Sequence, residues 1–301
     1  MTSLLYGDND FELKKALKKI IKDFDNEYSV EKIDGDSIGA NDLPDLLSGI
    51  SLFSSKRLII MYDVSTNKEV WEKLADYIAD SQVSSDLVIV ETAPDKRTRT
   101  FKTLQKQSLA HEYKKLNEAE AKKWLLDQAK AIKTEISPIL ADKIIERAGT
   151  DQWKLHYGLQ KLALLGDINE QKIIENIEAS PQANVFALID ASLHRSPEKV
   201  HRLVGLASVS EDPYFFFGLL SSQIFQLVTL ASSEKGPSEV ASDLGVHPYP
   251  LQKLSGLAKQ VNKSQMQKIA NIIAECDDKL KRSGAEPWLL IEQALIKLAN
   301  R

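Results

Sequence analysis

The chain has 301 residues, of which 43% are hydrophobic and 27% charged, and its formal net charge is −4. This length suits two or three globular domains, and the acidic balance excludes a chain that is strongly basic as a whole, although a local basic face stays open. A single cysteine, Cys276, excludes an intrachain disulfide and fits a reducing compartment. No apolar run approaches the roughly 18 residues of a membrane span, and the N-terminus lacks a signal-peptide pattern. We therefore expect a cytoplasmic protein without membrane contact.

The first 116 residues alternate short apolar runs with amphipathic segments. The apolar runs predict strands at 3–6, 28–33, 58–62, 87–90 and 110–113. The amphipathic segments have the three- and four-residue spacing of helices and lie at 11–24, 41–48, 67–80 and 96–107. Strands that alternate with helices indicate a parallel sheet covered on both faces.

After residue 116 the pattern becomes helical. The predicted helices lie at 117–132, 137–149, 151–166, 169–178, 184–194, 197–208, 213–232, 238–244, 248–260, 263–283 and 286–299. The segment 179–183 interrupts this pattern and is interpreted as a linker. The expected organisation is therefore an α/β domain at 1–116, a small helical domain at 117–180 and a second helical domain at 181–301.

The turn after the first strand is where an α/β protein would hold a nucleotide phosphate. A phosphate loop needs several glycines, a lysine for the phosphate oxygens and a Ser or Thr for Mg²⁺. The segment 7–13 has one glycine, no Gly-Lys-Ser/Thr and three acids, which are Asp8, Asp10 and Glu12. Asp63, after the third strand, is interpreted as a turn residue and not as a magnesium ligand. Nucleotide binding of the usual kind is not expected.

Other catalytic patterns are also missing from the sequence. The five histidines are scattered, and no Gly-x-Ser-x-Gly segment is present. Cys276 precedes two aspartates, whose charge raises a thiol pKa, so it should be a poor nucleophile. We expect no cofactor and no metal.

Two further stretches invite a binding role. The aromatic run 214–217 is interpreted as part of a helix buried on several sides, because no arginines are interleaved with it to hold a phosphate backbone. Lys96, Arg97 and Arg99 form the best local basic face, which is either a solvated helix face or a contact with DNA or a partner.

Leu52 and Phe53 stand in a short polar connection between a predicted helix and the third strand. Two large apolar side chains at such a place either pack under their own sheet or face outward to a partner. The residues alone leave these alternatives open.

Taken together, these features resemble the delta subunits of the bacterial DNA polymerase III clamp loader over essentially the whole chain. The similar segments are Leu-Leu-Tyr-Gly-Asp-Asn-Asp-Phe-Glu-Leu at 4–13, Ser-Leu-Phe-Ser-Ser-Lys-Arg-Leu-Ile-Ile at 51–60, Asp-Lys-Arg at 95–97, Lys-Leu-Ala-Leu at 161–164, Asn-Val-Phe-Ala-Leu-Ile-Asp-Ala at 184–191, Asp-Lys-Leu-Lys at 278–281 and Leu-Leu-Ile-Glu at 289–292. One departure is Gln160, which stands where the family usually has Glu.

The resemblance implies an α/β plus all-α fold, with a degenerate AAA+-like domain, a helical lid and a helical collar. It implies no intrinsic activity, and membership of a five-membered ring with subunits of the gamma/tau and delta-prime type in a DNA-directed DNA polymerase holoenzyme. Leu52 and Phe53 would enter an apolar pocket of the sliding clamp, which is then loaded onto primed DNA. Two alternatives stay open, a divergent ATPase and an AAA+-like DNA-binding replication or repair factor that uses helix 96–107.

Overall fold

The structure is a computed structural model that describes residues 2–24, 29–48, 57–79, 85–246 and 248–300. The chain divides into two compact units. The first unit comprises residues 1–127 and 150–157, and the second comprises 128–149 and 158–301. The predicted division into three domains at 116 and 180 stays a prediction.

The first unit is built on a five-stranded sheet in which every pairing is parallel. The strands are β1 (Thr2–Tyr6), β2 (Ser29–Asp34), β3 (Arg57–Tyr62), β4 (Asp86–Glu91) and β5 (Leu109–Glu112), in the spatial order β2-β3-β4-β1-β5. All five lie within a residue or two of the predicted runs, so the expected parallel sheet is confirmed. Because parallel strands end at one edge, the turns after β1, β3 and β4 share that edge.

Helices cover both faces of this sheet. They are α1 (Asp10–Asp23), α2 (Leu43–Ser48), α3 (Lys68–Ala79) and α4 (Arg99–Gln107). Alternate residues of β1 show the two faces, because Leu4 packs in one apolar cluster with Trp71 and Phe101, and Leu5 packs in another with Leu13. The predicted helix 96–107 was too long at its start. Thr98 accepts a hydrogen bond from the amide of Phe101 and caps α4, which leaves Lys96 and Arg97 in the preceding turn.

The described chain after β5 is helical, as predicted. The helices are α5 (Glu118–Ala131), α6 (Pro138–Ala148), α7 (Gln152–Leu164), α8 (Glu170–Asn176), α9 (Pro181–Leu193), α10 (Pro197–Ser210), α11 (Pro213–Ser232), α12 (Pro237–Leu244), α13 (Pro248–Ala258), α14 (Lys263–Arg282) and α15 (Pro287–Ala299). The linker predicted at 179–183 was wrong in part. Ser180 caps α9 through the amide of Ala183, and Pro181 occupies the first helical turn, where its missing N–H costs no hydrogen bond.

The core of the second unit is an apolar cluster around α9, α11 and α15. Phe216, Leu220 and Leu227 of α11 and Ile291 of α15 are buried in it. The interpretation that the aromatic run 214–217 is buried on several sides was wrong in part, because Tyr214 and Phe215 are 58% and 57% exposed. Consecutive helix residues point about 100° apart, so four in a row cannot all face one core.

One helix departs from the expectation that no stretch could span a membrane. Among the described residues, α11 is long and apolar enough by length and composition, with a mean hydropathy of 1.5. The expectation was based on unbroken apolar runs. In α11, serines and glutamines interrupt the apolar run, but the mean hydropathy of the helix stays high. Core helices of soluble proteins pass the same test, and α11 supplies much of the apolar cluster described above.

Candidate functional site

The turn after β1 lies at the edge of the sheet where parallel α/β proteins usually bind ligands. Its glycine is required, because Gly7 has φ 128° and an added Cβ would lie 2.0 Å from the carbonyl oxygen of Tyr113. The chain after β5 therefore fills the space directly against this turn. A phosphate loop, by contrast, must leave its backbone N–H groups open to the ligand.

The side chains of Asp8 and Asn9 in this turn are hydrogen-bonded within the chain. The Asn9 side chain caps α1 by accepting from the amide of Glu12 at 3.1 Å, and it donates to Gln152 Oε1 at 2.7 Å and to the Lys114 carbonyl at 2.9 Å. Asp8 Oδ1 accepts from the amide of Lys115 at 2.8 Å. Asn9 is 5% exposed, so its side-chain bonds lie largely within the fold, whereas the bond of Asp8 lies at the surface. No donor of Asn9 remains for a ligand.

The first turn of α1 presents two carboxylates to side chains of α5 and α7. Asp10 Oδ2 accepts from Trp153 Nε1 at 2.8 Å. Glu12 Oε1 accepts from Trp124 Nε1 and from Gln152 Nε2, each at 3.2 Å. Partial burial acts to raise the pKa of Asp10, but hydrogen bonds from Trp153 and Lys14 outweigh it and hold that pKa below its ordinary value.

Aromatic packing closes the same turn. The ring of Phe11 makes edge contacts with Trp124 and Trp153, at centroid distances of 5.3 Å and 4.7 Å. Such pairs are worth roughly 0.5–1.5 kcal/mol beyond the burial of their area. Where a triphosphate would need cations and open amides, this chain has two acids, two indoles and an aromatic ring. These contacts occupy the place where a triphosphate would bind and make that place unfavourable for its charge.

The turns after β3 and β4 carry two further acids. Asp63 has φ 44° and accepts from the amide of Thr92 at 2.8 Å, which fits its interpretation as a turn residue. Glu91 is fully buried and accepts from Ser65, at 3.0 Å from the amide and at 2.5 Å from the hydroxyl. Burial raises the pKa of Glu91 to about 7, despite the opposing hydrogen bonds from Ser65. Glu91 therefore holds the turn between β3 and α3 and is not exposed to a ligand.

The three predicted basic residues each contact a carboxylate of their own chain. Lys96 Nζ lies 2.6 Å from Glu112, and it also lies over the ring of Tyr6. The hydrogen bond to Glu112 raises the pKa of Lys96.

Arg97 and Arg99 follow the same rule, at 2.9 Å from Asp95 and 2.8 Å from Asp76. The bonds from Arg97 lower the pKa of Asp95 to about 2. Both arginine side chains stay largely exposed. The ion pairs therefore offset their charge but leave the side chains accessible to a partner.

Leu52 and Phe53 lie outside the described residues, so the structure gives no account of their side chains. The ends of the elements beside them are described. Arg57, the first residue of β3, donates from Nη1 to the carbonyl of Leu46 in α2 at 3.2 Å, and its guanidinium pairs with Glu31 of β2. Segment 49–56 therefore connects two elements that this one side chain ties together.

Among the described residues, the histidines and Cys276 are not brought together into a catalytic group. His201 Nδ1 contacts Glu292 at 2.6 Å, whereas His194 contacts Asp190. Burial and the charge of Asp277 raise the pKa of the Cys276 thiol to about 11, which confirms the predicted direction, although burial is the larger cause. Within the described ranges, no cluster of three or more His, Cys, Asp or Glu residues could hold a metal.

Two protein-family comparisons match separate parts of the chain. Residues 4–114 match the family described as DNA polymerase III, delta subunit. Residues 182–298 match the C-terminal domain of the same delta subunit. The chain belongs to the DNA polymerase III delta-subunit family. The two matched segments lie in the same order as the family's domains, and together they cover more than half of the chain.

Two relatives that match the chain are distant from it in sequence. The DNA polymerase III subunit delta of Bacillus subtilis (strain 168) is 24% identical over 215 residues, which are 69% of this chain and 62% of that protein. The chain thus spans less than two thirds of the length of that relative. The solved DNA clamp loader delta protein of Bacillus subtilis has 21% identity and a TM-score of 0.63, over 100% of this chain and 95% of the other. This likeness establishes the fold.

Sequence reasoning missed the side chains that close the turn after β1 and the one that ties α2 to β3. Trp124, Gln152 and Trp153 are more than 100 residues from the turn they close. The available signal was the presence of a tryptophan near the start or middle of each of two predicted helices, 117–132 and 151–166. For Arg57, the available signal was its place directly before the predicted strand 58–62.

Proposed function

We propose that this chain is a non-catalytic subunit of the clamp loader of the replicative DNA polymerase III holoenzyme. In this role it binds the sliding clamp and holds it open for loading onto primed DNA in the cytoplasm. The observation that carries the proposal is the family match at both ends of the chain. The turn after β1 supports the non-catalytic part, because the amides of Gly7, Asn9 and Glu12 are hydrogen-bonded within the chain and two carboxylates stand where a phosphate would bind.

Leu52 and Phe53 are the proposed clamp-binding residues, by resemblance to the family. Burying one Leu and one Phe side chain is worth roughly 1.5–3 kcal/mol each. Loss of both would then weaken binding by about two to four orders of magnitude. Two apolar anchors in one short segment fit the composition of an interface hot spot.

The mechanism follows from the lack of a nucleotide site. Without ATP of its own, the chain can only shift the equilibrium of the clamp between closed and open forms, by binding the open form more tightly. ATP bound by sister subunits would control whether Leu52 and Phe53 reach the clamp. In this mechanism the ATP-binding subunits of the ring control the timing of clamp binding, and this chain makes the contact with the clamp.

The partners within the ring are subunits of the gamma/tau and delta-prime type. Exposed apolar side chains on the second unit support such a contact, because Val209, Tyr214 and Phe215 are all more than half exposed along α10 and α11. Apolar side chains exposed next to one another are typical of protein interaction surfaces. These residues are candidates for a joint with a neighbouring subunit.

The two alternatives receive less support. A divergent ATPase would have to bind a triphosphate beside Asp10 and Glu12, whose charge repels it. A DNA-binding factor would have to use Lys96, Arg97 and Arg99, each of which has a carboxylate partner. Exposed ion pairs of this kind stabilise a protein by only about 0–1 kcal/mol, so DNA phosphates could replace the carboxylates. The measured affinity of the chain for DNA therefore decides this alternative.

The test is a binding measurement between the purified chain and the sliding clamp of the same organism. The proposal expects a complex that survives gel filtration and forms without ATP. If the chain and the clamp elute separately at concentrations well above micromolar, the clamp-binding role is wrong.

A further inference from the structure

A cleft of about 470 Å³ lies within the second unit, between α6, α8, α9, α10 and α13. Its volume falls in the ordinary range of ligand sites, roughly 300–1,000 Å³. The buried ring of Phe186 lines it together with the half-buried Leu203 and Leu257. At its rim, Ile174 and Leu206 are 51% and 64% exposed. The apolar lining thus continues from the cleft onto the open surface.

Three lysines line the cleft, and each has a carboxylate partner. The Nζ–carboxylate distances are 3.3 Å for Lys143 and Glu170, 3.6 Å for Lys199 and Asp190, and 2.9 Å for Lys253 and Glu146. Lys253 also lies 4.8 Å from the ring centre of Phe186. These charges are therefore balanced within the cleft.

Arg147 is the cation of the cleft that has no counter-charge. Its Nε donates to the carbonyl of Ile177, and within the described ranges no carboxylate pairs with it. Burial lowers the pKa of Arg147, because the guanidinium has lost water without gaining an anion. The rest of its planar donor fork suits a carboxylate, which guanidinium groups bind through two parallel hydrogen bonds.

We propose that this cleft binds an acidic, apolar peptide segment of a partner protein, with a carboxylate on Arg147 and a large apolar side chain against Leu206 and Ile174. The exposed apolar rim favours a protein segment over a small molecule, since a small ligand would leave these side chains in water. A nucleic acid is disfavoured, because it offers one charge per phosphate and the cleft has a single unbalanced cation. The cleft is lined by residues of the second unit and by none of segment 49–56, so the proposal does not depend on clamp binding.

The experiment measures fluorescence anisotropy of a short labelled peptide in which glutamates alternate with leucines. A second peptide has glutamine at every glutamate position. We expect the acidic peptide to bind the full chain and the neutral one to bind at least about tenfold more weakly. Arg147→Gln should weaken binding of the acidic peptide by about tenfold to a hundredfold, so that the two peptides bind with equal affinity.

Two more variants separate the parts of the site. Leu206→Ser should weaken binding of both peptides by a similar factor, because it removes an apolar contact without changing any charge. Arg202→Gln changes an exposed arginine of α10 outside the cleft and should leave both affinities unchanged. Circular dichroism of each variant checks that a loss of binding is not a loss of folding.

Several results would overturn the proposal. They are no binding of the acidic peptide by the folded wild-type chain, equal binding by the folded Arg147→Gln variant, and equal binding of the two peptides. Displacement of the peptide by an oligothymidylate, lost in Arg147→Gln, would assign the cleft to nucleic acid. If the amphipathic dye anilinonaphthalene sulfonate displaces the peptide and binds more tightly than either peptide, the cleft would be assigned to small anions.

Discussion

Arg57 Nη1 donates to the backbone carbonyl of Leu46 at 3.2 Å, across a separation of 11 residues. The same guanidinium pairs with Glu31 on the neighbouring strand, and only 17% of the Arg57 side chain is exposed. One side chain therefore connects α2, β3 and β2 at the two ends of segment 49–56. A segment whose ends are fixed loses less conformational entropy when a partner binds it.

Replacing Arg57 by methionine should destabilise the fold and weaken clamp binding together. Methionine keeps an unbranched side chain that can fill the place of the arginine stem, but it removes the hydrogen bond to Leu46 and the ion pair with Glu31. We expect a loss of about 1–3 kcal/mol in the free energy of unfolding, measured by urea denaturation. Lys32→Met, at an exposed position of β2, is the matched control and should change stability by less than about 0.5 kcal/mol. Equal stability of the two variants would contradict the anchoring role.

Equilibrium dialysis with labelled ATP and Mg²⁺ should show no saturable binding in the micromolar range. The reason is the turn after β1, where Asn9 is fully engaged and the carboxylates of Asp10 and Glu12 face the indoles of Trp153 and Trp124. A phosphate-loop ATPase in the same apparatus serves as the positive control. Saturable micromolar binding would favour the divergent ATPase.

Glu91 should make stability depend on pH. Its folded pKa of about 7 lies above the ordinary value of 4.5, so the folded chain binds more protons than the unfolded chain between these values. Stability is then lost as the pH rises from 4.5 through about 7. Glu91→Gln cannot ionise and should lack this loss, which is at most about 3 kcal/mol.

The measurement is urea denaturation of both proteins at pH 5 and pH 8, with the difference in stability compared between the two pH values. The exposed Glu69→Gln in α3 is the control and should follow the wild type. If wild type and Glu91→Gln lose stability in parallel as the pH rises, Glu91 is not the titrating group.

Neutralising Lys96, Arg97 and Arg99 together should leave clamp binding unchanged and alter the affinity of the free chain for primed DNA only slightly. Their charges are already offset by Glu112, Asp95 and Asp76, so few counterions are released when DNA binds. Fluorescence anisotropy at two salt concentrations provides the measurement. A strong, steeply salt-dependent affinity that disappears in the triple variant would favour the DNA-binding factor.

The sheet could be predicted because its strands are short apolar runs separated by helical spacing, and this pattern is local. Helix starts were less accurate where a cap decides them. Thr98 and Ser180 fix the starts of α4 and α9 through single hydrogen bonds that hydrophobic spacing does not report.

The turn after β1 shows what local pattern cannot supply. Its lack of a phosphate loop was evident from the residues 7–13 themselves. What occupies the place was not, because Trp124 and Trp153 reach it only through the fold. The Leu52-Phe53 pair came from family resemblance, since two apolar residues in a polar connection are equally compatible with burial under the sheet.

The most direct test of the central claim is the affinity of the sliding clamp for the wild-type chain and for Leu52→Ala/Phe53→Ala, measured by surface plasmon resonance. Tyr214→Ala/Phe215→Ala removes a second pair of apolar side chains, both exposed on α11, and serves as the matched control. The account predicts that the 52/53 variant binds about a hundredfold to ten-thousandfold more weakly, while the control binds the clamp like wild type. Equal clamp binding by the wild type and the folded 52/53 variant would contradict it.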